Sequence, residues 1–353
     1  MGTFILMNTD FQIRISAALV IMLLPSVPTS AQCFPFEKCH METGKVQQVL
    51  GTLDWTISAP NCDVSKWIVF MPQAPALEAQ TAPTSNLFLH EVNQHAITVL
   101  EPTSAKRKLM QLLISDNKDK HKLSGIVKYQ VLLAPRNLVK GASEKLVPSL
   151  GKIEELRYLS PSDHLNFNDA IFQKWLDETA LRKNRESDLQ FAWRSFMAIR
   201  NSYNYSYSAS QDRHVSNLCQ GSSTDCGGLS WLFVAVLRAN GIPARSLIGR
   251  WAKSANAQVG AEEAHVKAEF FARDIGWIPV EVSGAVSDKS RDPLMYFGRE
   301  KGNFITFHID PDILIDTKLF GTKAVRNIQS PAIWFSGSGT SKDTSLHSSW
   351  TVF

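Results

Sequence analysis

The chain has 353 residues, of which 44% are hydrophobic and 20% charged, with a formal net charge of +4. That length and balance exclude a disordered or collagen-like chain and leave room for two modest domains or one large one. Part of the basic excess lies in Lys106-Arg107-Lys108 and in the turn from Asn117 to Lys122, read as solvated strand ends and a hairpin tip. With no long basic stripe interleaved with aromatic residues, no nucleic-acid partner is expected.

In chain order, the first feature is ISAALVIMLL, Ile15 to Leu24, preceded by Arg14 and followed by a Pro/Ser/Thr stretch ending Thr29-Ser30-Ala31. This is the pattern of a secretory signal peptide cut after Ala31, and the run is shorter than the roughly 20 residues a membrane-spanning helix needs. Residues 1–31 are therefore set aside as a signal peptide. The mature protein is expected to be secreted or periplasmic, with no stable membrane insertion after cleavage. Export favours disulfides, and an odd set of cysteines (Cys33, Cys39, Cys62, Cys219 and Cys226) leaves one thiol over. The pairing among Cys33, Cys39, Cys62 and Cys219 stays open if Cys226 is the free one. No Cys-x-x-Cys pair or matching His spacing suggests zinc, and no acidic loop of calcium-binding spacing is present.

From Gln47 to Pro135 the apolar residues come in short runs (VLGTLDWTI, WIVFM, LFLHEV, HAITVLE, KLMQLLI, GIVKYQVLL) rich in β-branched and aromatic residues and divided by turns. These predict an antiparallel β-sandwich-like N-terminal domain over 32–150, with Arg136 to Pro161 read as a linker. The period then changes. Asn168 to Lys183 and Ser187 to Asn201 carry apolar residues at helical spacing, and Tyr203 to Ser223 is polar and irregular. Next, Leu229, Leu232, Phe233, Val236 and Leu237 trace a helix that Gly241 and Pro243 stop. Strands RSLIGRW, HVKAEFFA, WIPVEVS, FITFHI and AIWFS follow, and 337–353, poor in apolar residues, is read as a flexible tail. The fold class is α+β, with the sandwich followed by a core of helices plus antiparallel sheet over 151–336.

Cys226 stands at the mouth of that buried helix, in STDCGGLSWLF. A helix start offers unpaired N–H groups and the positive end of the dipole, which favour thiolate and can face a developing oxyanion. Asp225 is placed to cap the helix, although its charge opposes thiolate. Gly227 and Gly228 leave room for a substrate backbone. A buried structural cysteine or a disulfide partner, for instance of Cys219, accounts for the local sequence equally well. A nucleophile needs a base. Among the histidines, His265 differs by opening an apolar strand shortly before a second strand that carries Glu281, so that a carboxylate could hold its tautomer.

The blocks DCGGLSWLFVAVLRANGIPARSLIGRW and HVKAEFFARDIGWIPVEVS resemble the transglutaminase-like core of the papain-like cysteine enzymes, in its exported bacterial-type form. Tyr296-Phe297-Gly298 matches a triplet often carried by such members. The resemblance implies a papain-like fold and a triad of Cys226, His265 and Glu281. It implies an amide hydrolase or transamidase working through a thioester on peptide or protein amides, without metal or cofactor. Two positions depart from the pattern. Glu281 stands where Asp is usual, and Lys267 replaces a large residue and shares the face of His265, where it could lower imidazole protonation. They motivate the alternative of a catalytically silent binding or structural protein. A disulfide-stapled adhesion module is the third reading. Gln220, six residues before Cys226, is read as a coincidental match to a peptidase oxyanion donor. Oligomeric state is left open.

Overall fold

A computed structural model of the chain describes residues 2–4, 38–90, 94–115, 117–143, 146–252 and 263–353. The stretch read as a signal peptide and Cys33 lie outside the described residues, apart from the backbone of Gly2–Phe4 on one sheet edge. Among the described residues no helix is long and apolar enough to cross a membrane.

The strand-rich half forms two antiparallel sheets facing each other. One runs in the order Ser345–Val352, Gln47–Ser58, Lys122–Leu133, Gln80–Leu89; the other orders Gly2–Phe4, Ala332–Gly339, Cys62–Pro72, Lys108–Ile114 and Ile97–Leu100. Lys122–Leu133 shows why: its burial alternates residue by residue, placing Leu123, Val127, Tyr129, Val131 and Leu133 inside. Trp55, Trp67 and Phe70 fill the space between the sheets.

The last strands correct the expected tail. Ser345–Val352 pairs along its whole length with Gln47–Ser58, and Trp350 is buried over Gly51. A Cβ at Gly51 would lie 2.2 Å from the indole, so glycine makes the space that Trp350 fills. The expected linker is also structured. Arg136–Lys140 lies between Cys39–Thr43 and Arg299–Glu300, and Lys152–Leu159 is a helix, α1.

The second unit holds α2 (Ala170–Glu178), α3 (Asp188–Ser202), α4 (Val215–Leu218), α5 (Cys226–Ala239) and α6 (Val282–Ser287). Its antiparallel sheet orders Gly276–Val280, Ala264–Ala272, Ala244–Trp251 and Phe304–Ile309. From Gly227 to Arg238 every residue of α5 is buried, which fits a helix apolar on all sides and packed between the sheet and α3, α4 and α6. It ends at Gly241 with φ +74, a left-handed position that suits glycine. Arg245, at the end of GIPAR, is wholly buried. It pairs with Glu269 at 2.7 Å and lies 3.8 Å from the Trp277 ring centre, so this arginine is part of the scaffold. Phe304–Ile309 sends Ile305 and Phe307 into the sandwich core, with Phe307 stacked on Tyr129 at 4.3 Å. The two units are thereby packed as one body.

Candidate active site

The first turn of α5 is built by charge. The Asp225 side chain accepts from the Gly228 N–H at 3.1 Å, closing the helix start. Arg213 grips the same carboxylate through Nε at 2.9 and 3.0 Å and Nη2 at 2.5 Å, so the negative charge beside Cys226 is compensated. Arg213 lies in the stretch read as irregular, and nothing in its local pattern signals the role. Gly228 has a packing reason rather than the expected substrate-facing one: a Cβ there would fall 2.0 Å from Thr224 Oγ1.

Sheet pairing brings the second residue in. His265 lies on Ala264–Ala272, and α5 is tied to that strand by Ser230 Oγ, which donates to Val266 O at 3.0 Å. Gln329 fixes the His265 backbone by donating to its carbonyl at 2.9 Å. The ring lies 4.7 Å from that of Trp251 and edge-on to Phe304 at 6.1 Å. Its Nε2 meets both oxygens of Glu281, at 2.9 and 3.0 Å, and Cys226 is near enough to influence its protonation. With Nε2 on the carboxylate, Nδ1 is the nitrogen left for the thiol.

Glu281 ends the strand three residues earlier than its sequence block implies: the strand stops at Val280 and Glu281 caps α6. Its Oε1 accepts from Ser283 Oγ at 2.8 Å and from Gly284 N–H at 3.3 Å, and its own N–H donates to Tyr296 O at 2.8 Å. The Tyr-Phe-Gly triplet thus supports the acid, with Phe297 in the core and Gly298 at φ +75.

Burial works against charge on both partners, and their mutual attraction overrides it. The Glu281 carboxylate and the neighbouring Cys226 raise the His265 pKa to about 10, while His265, Lys267 and Ser283 hold Glu281 at about 2. The expected lowering of His265 by Lys267 is not found. Lys267 is buried, ion-paired with Glu300, and lies over the rings of Trp251 and Phe304 at 5.3 and 5.4 Å.

His265 and Glu281 open onto a cavity of about 490 Å³ that is also lined by Tyr205, Tyr296, Arg299 and Lys301. Tyr205 was not singled out in the sequence. A short parallel pairing of Asn204–Tyr205 with Ser223–Thr224 places it, and burial together with the charges of Cys226, Asp225 and Glu281 pushes its pKa up to about 12. Gln220 is not directed to the site: its amide donates to Ser216 O at 3.3 Å. Cys39, Cys62, Cys219 and Cys226 are all free thiols, so the Cys219–Cys226 disulfide is absent; Cys219 Sγ instead donates to Val215 O at 2.9 Å.

A cysteine opens the buried helix, and a histidine on the sheet beside that helix meets a carboxylate that caps the start of α6. Residues 177–282 match the transglutaminase-like superfamily, so the chain carries a transglutaminase-like domain. The fold as a whole is similar to a candidate cysteine protease from Cytophaga hutchinsonii, with a TM-score of 0.55 at 15% identity, covering 89% of this chain and 93% of that one. The periplasmic domain of TgpA from Pseudomonas aeruginosa aligns with a TM-score of 0.34 at 14% identity, over 65% of this chain and 92% of that domain. No curated protein matches the sequence.

Proposed function

We propose that the protein is an exported thiol-dependent amide hydrolase acting on peptide or protein carboxamides, with Cys226 as nucleophile, His265 as acid and base, and Glu281 as the group that orients His265. The observation that carries this reading is the two-point contact of Glu281 with His265 Nε2, which leaves the other ring nitrogen for the thiol. A raised His265 pKa makes the imidazole a strong acceptor for the thiol proton, and the imidazolium that forms stays beside the sulfur. The sulfur attacks the carbonyl carbon and the C=O electron pair moves to oxygen, where first-turn N–H groups of α5 and the neutral Tyr205 phenol can donate. Collapse expels the amine, which takes its proton from His265, and leaves a thioester. Water, deprotonated by His265, then releases the acid and the thiolate. Exposed Tyr205 and Arg299 at the cavity favour entry of water, and hence hydrolysis, over transfer to an amine. Arg299 and Lys301 favour acyl groups that carry carboxylates. Export rests on the Ile15 to Leu24 run.

The test is alkylation of the folded protein by iodoacetamide from about pH 4 to 9, with the modified cysteine mapped. Fast labelling of Cys226 below neutrality, lost in His265→Ala, is the expected result. Labelling that begins only near about pH 8.5, where ordinary thiols ionise, would exclude an activated nucleophile.

A further inference from the structure

A second cavity, of about 610 Å³, opens where the two units meet and shares no lining residue with the one at His265 and Glu281. Its walls come from 73–76, 83–85 and 105–108 of the sandwich, from α1, and from the end of Phe304–Ile309. Clefts of this size between units commonly take ligands. The charge here is of one sign. Lys106, Lys108 and Arg157 line the cleft, none of them has an ion pair among the described residues, and no carboxylate lines it. Lys106 and Lys108 are exposed and Arg157 is half-buried, so all three are open to a ligand. Thr84 and Ser85 add hydroxyls, and Ser85 Oγ, which accepts from the Ala74 N–H at 3.0 Å, keeps its own proton to donate.

Arg107, between the two lysines, has a different task. Its guanidinium meets both oxygens of Glu101 at 2.6 Å and donates to the carbonyls of Ile309, Asp310, Pro311 and Asp312 at 2.7 to 3.0 Å. That ties the lysine-bearing turn to the end of Phe304–Ile309 and fixes the backbone from which Lys106 and Lys108 project. Two walls of the cleft also leave regular geometry. Lys106 has φ +50, and Ala82, next to Pro83, has φ +45, left-handed positions that cost a residue with a Cβ energy. The pairing of Gln80–Leu89 with Lys122–Leu133 shifts register between Thr81 and Thr84, so the strand bulges where it meets the cleft. Strained residues and bulges of this kind gather at functional sites.

The lining selects a ligand class. Cations from the sandwich and from α1 call for at least two anionic groups on one ligand. An arginine fork takes a carboxylate through two bonds, while lysines act as point charges. Pro75, Pro83 and Ile309 offer apolar surface for methylene groups. No Phe, Tyr or Trp lines the cleft, so it lacks the stacking platform that a nucleic-acid strand uses. We propose that this cleft binds a short acidic peptide segment, with one carboxylate on Arg157 and a second on Lys106 and Lys108. The choice of a peptide rests on the proposed action on peptide amides, and a segment held here retains an acidic substrate apart from the residues that cut it. The charge complementarity does not depend on that reading.

The experiment uses the full chain carrying Cys226→Ala, Arg299→Gln and Lys301→Gln. These changes stop cleavage and remove cations of the other cavity, so a failure here leaves the role of Cys226 untouched. The protein is titrated by calorimetry at low salt with N-acetylated tetraglutamate amide, with the tetraglutamine analogue, and with inorganic tripolyphosphate. The expected result is one equivalent of the glutamate peptide bound per chain, weakened by added salt, and no binding of the glutamine peptide. Adding Arg157→Gln should weaken binding about five-fold, the upper end for one exposed ion pair. Adding Lys106→Gln and Lys108→Gln as well should weaken it about a hundred-fold if the three contacts are additive. Urea titration checks that each variant remains folded. Absence of saturable binding, equal binding of the glutamine peptide, binding that the three substitutions do not weaken, or tighter binding of tripolyphosphate, which would mark a phosphate site, would each overturn the proposal.

Discussion

Glu281→Gln separates the charge of the orienting carboxylate from its shape, because glutamine keeps an acceptor for His265 and loses the negative charge. His265 has a folded pKa of about 10, above the ordinary 6.5, so it stabilises the fold fully below 6.5 and less as pH rises toward 10. Glu281 is held at about 2, below the ordinary 4.5, so its contribution is full above 4.5 and is lost as pH falls toward 2. These are two views of one interaction, at full strength between 4.5 and 6.5. A buried hydrogen bond to a charged group contributes about 1.5–3 kcal/mol. Both oxygens of Glu281 meet one nitrogen, so a single such term applies. Without it, burial favours neutral imidazole and the Cys226 sulfur loses its cationic neighbour. Converted at about 1.4 kcal/mol per decade, the alkylation rate of Cys226 at about pH 6 is expected to fall roughly ten- to a hundred-fold. Urea unfolding of the variant should lose the decline in stability above pH 6.5. A folded Glu281→Gln protein that labels at the native rate at that pH would refute the coupling.

Three further substitutions test other parts of the site. Gly228→Ala places a Cβ 2.0 Å from Thr224 Oγ1 and should destabilise by about 1–3 kcal/mol in urea titration, with partial relief on adding Thr224→Ala. Trp350→Ala should cost about 3–5 kcal/mol in the same assay. Because the Trp350 indole donates to Trp251 O at 2.9 Å and the Trp251 ring lies against His265, Cys226 labelling should slow as well; wild-type stability would mean that the terminal strand is dispensable. Tyr205→Phe removes a donor to a developing oxyanion and should slow acylation by a nitrophenyl ester by about ten-fold or more, while leaving alkylation, which forms no oxyanion, unchanged. Equal effects on both reactions would point to a general disturbance of the cavity.

The α5 helix was legible because its apolar spacing, its capping Asp225 and its stop at Gly241 all agree. Strands RSLIGRW, HVKAEFFA and FITFHI were legible from continuous apolar content, and they lie where expected. What was missed depends on partners distant in sequence. The terminal strand is diluted by Ser and Thr, and the indole of Trp350 is buried only because Gly51 leaves it room, nearly three hundred residues earlier. Arg136–Lys140 reads as linker because a short strand with its middle half-exposed carries no strong alternation. Arg213 reaches Asp225 across twelve residues that include the short helix α4, and the stacked His164–His214 pair spans fifty, so neither shows a spacing that a motif could capture.

The two departures from the family pattern are resolved by the same kind of distant contact. The extra methylene of Glu281 accompanies a strand that ends early. The side chain folds back over the start of α6, takes Ser283 and Gly284 on one oxygen, and still presents both oxygens to His265. Lys267 shares a face with His265, yet its charge is matched by Glu300, which in turn accepts from the Gly302 N–H at 3.1 Å. Trp251 lies against the ring of His265 and under the ammonium of Lys267, so one indole borders both the imidazole and the cation. The remaining field of Lys267 falls on Glu281, where it lowers the carboxylate pKa and favours the charged form that His265 needs. A lysine that looked damaging in the sequence therefore supports the His265–Glu281 pair, provided that Glu300 stays in place.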